Sequence, residues 1–250
     1  MSGHSKWSKI KRAKGATDAK RGLRWSKISR RIIIAAKAGG GNPDENLALR
    51  YAMDEARSAN MPNDTIRNAI KKGTGELGAE NYEEVMYEGY ASGGVAVLVE
   101  SLTNNRNRTA PELRHIFESS GGQLGGSGCV SWMFHKKGAF SIEAAKVDED
   151  TLMEIALEAG ADDVVREEEH FEITCDISAF AAVRDALAAK NIPTVSAGIS
   201  QVPASTVPIT SAEAAGKVLR LLEKLDDHDD VQHVYANFDI PDEIMARVEG

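Results

Sequence analysis

With 250 residues, 42% of them hydrophobic, the chain can bury a substantial core in one large domain or two to three small ones, which excludes a disordered or fibrous protein. Its two cysteines, Cys129 and Cys175, stand apart with no CxxC, so neither a disulfide framework nor a zinc knuckle is suggested, and no run of about 18 apolar residues offers a membrane span. The formal charge of −8 conceals two unlike parts: residues 1–40 carry 12 lysines and arginines against one acid, Asp18, whereas residues 76–250 carry 13 against 32 acids.

Such asymmetry points to a polyanion-binding N-terminal segment, because each neutralised phosphate releases counterions and drives association. The start of the chain is polar and basic with no apolar signal-like stretch, so a cytoplasmic, reducing location without membrane attachment is expected. From Lys20 to Ala38, Trp25, Ile28, Ile32 and Ala35 gather on one helical face, and Gly39-Gly40-Gly41 stops the helix. Beside that seam, Lys20, Arg24, Lys27 and Arg31 recur at i, i+4, i+7, i+11 as a four-cation stripe able to track a phosphate backbone. Asn42 reads as the N-cap and Pro43 as the first position of a second helix running to about Ala59, with Leu47, Tyr51 and Ala56 facing inward. Met61-Pro62 breaks it, and a third helix near Asn63 to Lys72 places Ile66 and Ile70 one turn apart.

Beyond Gly75 the hydrophobic period shifts towards two. Runs 83–90 and 95–102 around Ser92-Gly93-Gly94 predict a β-hairpin, followed by the polar loop Asn104 to Arg108 and a capping box, Thr109 with Glu112, opening a helix to about Ser119. Gly121 to Gly128 reads as a flexible joint. A second hairpin (130–134 and 139–142), a helix (149–159), strands at 163–166 and 171–175, a helix (179–189) and a strand (194–199) follow. An extended stretch 202–209, a helix capped by Ser211 and a strand 231–238 complete the chain. The expected class is α+β multidomain: a basic three-helix domain (1–75), an α/β domain from 76–128 plus 202–250, and a third (129–201) inserted in the second, both of the ferredoxin-like split βαβ type.

Motifs for chemistry are missing. Neither GxGxxG nor GxxxxGK[ST] fits the glycine-rich stretch or Gly216-Lys217. Asp226-Asp227-His228-Asp229-Asp230 matches no cation-binding loop and reads as a solvated acidic surface, while Cys129 and Cys175 read as buried structural thiols. No catalysis, cofactor or metal is therefore expected. The second and third helices make a poor helix-turn-helix, since Pro62 sits in the turn and the third helix has few base-reading side chains. Candidate nucleic-acid contacts are Lys6, Trp7, Lys9, Lys11, Arg12, Lys14, Lys20, Arg21, Arg24, Lys27 and Arg31, joined by Arg106 and Arg108 from the polar loop at a helix start.

Gly3-His4-Ser5-Lys6-Trp7, Asp18-Ala19-Lys20-Arg21-Gly22, Ala59-Asn60-Met61-Pro62, Tyr87-Glu88-Gly89-Tyr90 and Thr103 through Thr109 together resemble the YebC-like proteins, probable transcriptional regulators with mitochondrial relatives that act as translational activators. The resemblance implies a helical N-terminal domain, two α/β domains with the third nested in the second, and no catalytic residue. Two functions follow as expectations: a DNA-binding regulator of transcription, or a ribosome-associated translation factor contacting RNA. The acidic C-terminal half repels nucleic acid and is expected either to meet a basic protein partner or to keep binding orientation-specific.

Overall fold

The computed structural model describes residues 18–78, 81–167 and 169–249. Its N-terminal part is three helices, α1 (Asp18–Gly39), α2 (Leu47–Ser58) and α3 (Asn63–Gly73), with α2 and α3 both packed on α1. Ile28 and Ile32 of the expected seam are fully buried, and each such side chain stabilises the bundle by about 1.5–3 kcal/mol. The start of α2 differs from expectation. Asn42 only accepts from the Asp44 N–H in a turn, and Asn46 is the cap, accepting from the Leu49 N–H at 3.1 Å. The reason lies in the junction with α1: the Asn46 amide also donates to the carbonyls of Ala35 (2.7 Å) and Gly40 (2.8 Å), so this one side chain ties the end of α1 to the start of α2. Leu49, Ala52 and Ala56 therefore face inward, while Leu47 and Tyr51 face solvent.

The first sheet is built from β1 (Glu83–Tyr90), β2 (Ala96–Thr103), β3 (Gln123–Leu124) and β9 (Val231–Ala236), in the order β3-β1-β2-β9. Between β2 and β3 runs α4 (Arg106–Ser119), and β1 lies between those two strands as in a split βαβ unit. One face of this sheet buries Val97, Val99 and Val234 against Leu113 and Phe117 of α4 and Val218, Leu221 and Leu222 of α7 (Ala212–Asp226). Ser211 caps α7, accepting from the Ala214 N–H. A terminal helix, α8 (Asp242–Glu249), which sequence periodicity did not reveal, packs on α7.

The second sheet comprises β4 (Phe134–Glu143), β5 (Ala161–Glu167), β6 (His170–Cys175) and β7 (Ser196–Pro203), in the order β5-β6-β4-β7 with all neighbours antiparallel. With α5 (Glu149–Glu158) and α6 (Phe180–Ala189) on one face it has the β-α-β-β-α-β order of ferredoxin-like folds. The architecture is α+β multidomain. A short parallel pair, β8 (Val207–Pro208) with β10 (Phe238–Asp239), ties the return segment to the chain just after β9.

Two sequence expectations fail here for packing reasons. The hairpin of 130–134 with 139–142 is instead a turn, Ser131–Met133, and one continuous strand, β4. Gly138 is needed for close approach and not for a turn, since a Cβ there would lie 2.6 Å from Cys175 Sγ and 2.8 Å from the Phe180 ring. The joint at Gly121–Gly128 is also pinned. The buried Glu88 carboxylate accepts from the N–H groups of Gly128 (2.7 Å), Val130 (2.8 Å) and Ser131 (2.7 Å). Burial works to raise its pKa, but those donors hold it below the ordinary value.

Candidate nucleic-acid interface

Lys6, Trp7, Lys9, Lys11, Arg12 and Lys14 lie outside the described residues. The remaining candidates begin on α1, where the four-cation stripe is present as helical geometry but is shared between solvent and protein. Arg21 and Arg24 are exposed, the Arg21 guanidinium standing 5.9 Å from the Trp25 ring centre. Trp25 itself is half-buried and donates its indole N–H to the Ala59 carbonyl at 2.9 Å, so it is a structural residue. Lys20 lies 3.9 Å from Glu223 of α7, and Arg31 pairs with Glu55 of α2 at 2.5 Å.

Lys27 does not face solvent. It is 9% exposed, and its ammonium donates to the Asp226 carbonyl at the C-terminal end of α7 and lies 3.9 Å from that residue's carboxylate. Helix C-termini leave carbonyls without partners and carry partial negative charge, so a lysine there both satisfies an acceptor and meets a favourable field. One turn further along α1, Arg30 donates to the Asp229 carbonyl and carboxylate and lies 3.5 Å from Asp230, with its guanidinium over the Tyr82 ring at 5.6 Å. The acidic turn 226–230 is thus a socket for the N-terminal helix. The expectation of a solvated acidic surface is corrected: the socket lies 199 residues from its cations in the chain.

At its centre is Asp230, 1% exposed, which accepts from Thr109 Oγ1 (2.6 Å), Arg108 Nη2 (2.6 Å) and Thr103 Oγ1 (3.1 Å). Burial alone would raise its carboxyl pKa, but Thr109, Arg108 and Arg30 hold it below the ordinary aspartate value. The predicted capping box is also replaced. Asn105 caps α4 by accepting from the Arg108 N–H at 3.2 Å, and Thr109 is an interior residue spent on Asp230. Proline favours a helix's first turn, so Pro111 suggests a start near Thr109, yet α4 begins five residues before that proline. Arg106 makes an exposed pair with Glu83 at 2.7 Å. Arg30, Tyr82, Asn104, Arg108, His228 and Asp229 line a polar cavity of about 260 Å3 where α1, α4 and the turn meet.

Family models match both parts of this arrangement: the TACO1/YebC protein N-terminal domain over residues 5–76, and the TACO1/YebC second and third domain over residues 82–238. The chain belongs to the TACO1/YebC family. Members similar to it include probable transcriptional regulatory proteins of Syntrophus aciditrophicus (strain SB), 55% identical with all of both chains covered, and of Desulfotalea psychrophila, 52% identical over 99% of each. The crystal structure of a conserved hypothetical protein from Aquifex aeolicus is similar at TM-score 0.80 and 49% identity, covering 90% of this chain and 92% of that one.

Within this family architecture, sequence reasoning missed Arg30 and the Asp229–Asp230 socket as a pair. The signal present was charge complementarity: a cation-dense helix and an acidic run in one chain, each of which costs free energy through self-repulsion until the other covers it. Among the described residues no helix is long and apolar enough to cross a membrane.

Proposed function

We propose that the protein is a non-catalytic, cytoplasmic, nucleic-acid-binding regulator of gene expression that holds its target through phosphates. The observation that carries this reading is the 12-to-1 excess of basic residues in the first forty positions, with Arg21 and Arg24 still exposed where α1 emerges from its socket. Lys27 and Arg30 serve a different purpose: they anchor α1 to α7, so that the basic residues preceding α1 are joined to a held helix. Lys6, Lys9, Lys11, Arg12 and Lys14 would add charge, and Trp7 a stacking surface. The sheet pairings support a division into residues 1–75, 76–128 with 202–250, and an inserted 129–201.

The relatives' names favour transcription as the process, and on that reading the target would be DNA. The test is affinity against salt. Replacing Arg21 and Arg24 with glutamine lowers the log–log slope by about one for each phosphate that loses its cation, whereas Lys27→Gln leaves it unchanged. A slope indifferent to Arg21 and Arg24 would sink the assignment of those residues.

One observation favours a second reading, a translation factor on ribosomal or transfer RNA. The most basic helix has α2 and α3 on one side and the end of α7 on another, so it offers no open face several turns long for a DNA major groove. Phosphate and shape recognition suits folded RNA. Sedimentation of lysate through sucrose at low and high salt separates the two: salt-sensitive migration with ribosomes supports translation, and a protein confined to free fractions that footprints a promoter supports transcription.

A further inference from the structure

Trp132 is 69% exposed, the most exposed of the large apolar side chains among the described residues. It does not sit on a loose loop. The turn Ser131–Met133 lies between Val130 and Phe134, both buried against Ala96, Leu98 and Tyr235 on the second face of the first sheet. Glu88 holds the backbone on the N-terminal side through the N–H groups of Gly128, Val130 and Ser131. Gly128 adopts φ +85°, and a Cβ at Gly125 would lie 2.5 Å from Cys129 Sγ, so the glycines are there to let the loop close on that carboxylate.

The indole's one polar atom is already used. Its N–H donates to the Cys129 carbonyl at 3.3 Å, an oxygen that also accepts from Tyr90 Oη at 3.0 Å. What is left for a partner is the flat π-face, held in place before any ligand arrives and therefore cheap in entropy to use. Lys136, exposed, follows on β4 within roughly 13 Å along the strand. An aromatic face with a cation nearby is the pattern by which proteins hold unpaired bases, the ring stacking on the base and the cation meeting its backbone.

We propose that Trp132 is a stacking residue for an unpaired base of nucleic acid, on a different domain from the basic helix. This rests on the nucleic-acid reading above and adds a second contact that selects single-stranded or looped targets.

The experiment uses the full chain and two probes, a mixed-sequence 12-nucleotide RNA and the duplex formed with its complement. Trp132→Ala weakens single-strand binding about tenfold, at the low end of what one stacked base contributes, while duplex affinity and the salt slope stay unchanged. Trp132→Phe, which keeps a smaller ring, loses less. In a Trp7→Phe/Trp25→Phe chain the remaining indole fluorescence is quenched as the single strand is added, a readout on folded protein that does not depend on the alanine variant. If salt-dependent binding persists but Trp132→Ala binds both probes like the unmodified chain and no quenching occurs, the stacking role is overturned and the nucleic-acid reading stands, leaving the indole to a protein partner. If neither probe binds at any salt concentration, both fall.

Discussion

Replacing Asp230 with asparagine keeps the side chain's volume and removes its charge. The carboxylate is 1% exposed and stands among two threonine hydroxyls, the Arg108 guanidinium at 2.6 Å and the Arg30 guanidinium at 3.5 Å. Removing one partner from a buried ion pair leaves the other charge uncompensated and costs about 3–5 kcal/mol. Because Arg30 retains Asp229 and Arg108 is partly solvated, the low end applies. For a chain of this size that corresponds to a melting temperature lowered by about 6–12 °C in thermal unfolding followed by circular dichroism. The dependence on pH identifies the cause. Asp230 and Asp229 both have carboxyl pKa values held below the ordinary 3.8, so the folded state binds fewer protons than the unfolded one near that pH. Their stabilisation is fully present above the ordinary value and is lost as pH falls through the lowered ones. The gap between the unmodified chain and Asp230→Asn is therefore constant from pH 7 to about 5 and narrows towards pH 3. Equal melting temperatures, or a gap that does not shrink in acid, would refute the ionic socket.

Glu88→Gln weakens three charge-assisted backbone bonds and costs about 1.5–3 kcal/mol locally; amide hydrogen exchange at Gly128, Val130 and Ser131 speeds up first. Gly138→Ala overpacks β4 against Cys175 and Phe180 and lowers stability by about 1–3 kcal/mol in urea titrations, whereas Gly198→Ala on neighbouring β7, with nothing within 4 Å of its Cβ, has little effect. Asn46→Asp retains the helix cap but loses both donors to the Ala35 and Gly40 carbonyls, and Asn46→Ala loses the cap as well. Measured unfolding free energies are highest for the unmodified chain, lower for Asn46→Asp and lowest for Asn46→Ala, with about 1 kcal/mol for the cap alone.

Legibility followed sequence distance. The α1 seam, the cap at Ser211 and the alternation of the sheet strands depend on neighbours a few residues away, and the local pattern recorded them. Errors arose where a residue's partner lay elsewhere. Asn42 looked like the better cap because Pro43 follows it, but the carbonyls at the end of α1 required the amide of Asn46. Residues 135–138 stood where the expected hairpin would turn, but the strand runs straight through and Gly138 is small for the sake of Cys175 and Phe180. The glycine run looked mobile, but Glu88, forty residues earlier than Gly128, closes it.

The sequence by itself determined the charge division, the helical N-terminal part, the two α/β units and the family resemblance, because these are carried by composition, local period and motif spacing. Only the tertiary structure decided what the cations do. On an isolated α1, Lys20, Arg24, Lys27 and Arg31 form one stripe, since 3.6 residues per turn places them so. In the folded chain Lys27 and neighbouring Arg30 close on the end of α7 and the acidic turn, while Arg21 and Arg24 remain exposed. The difference lies in which part of the protein lies over each charge, and a contact between residues 199 positions apart leaves no periodic trace in the chain.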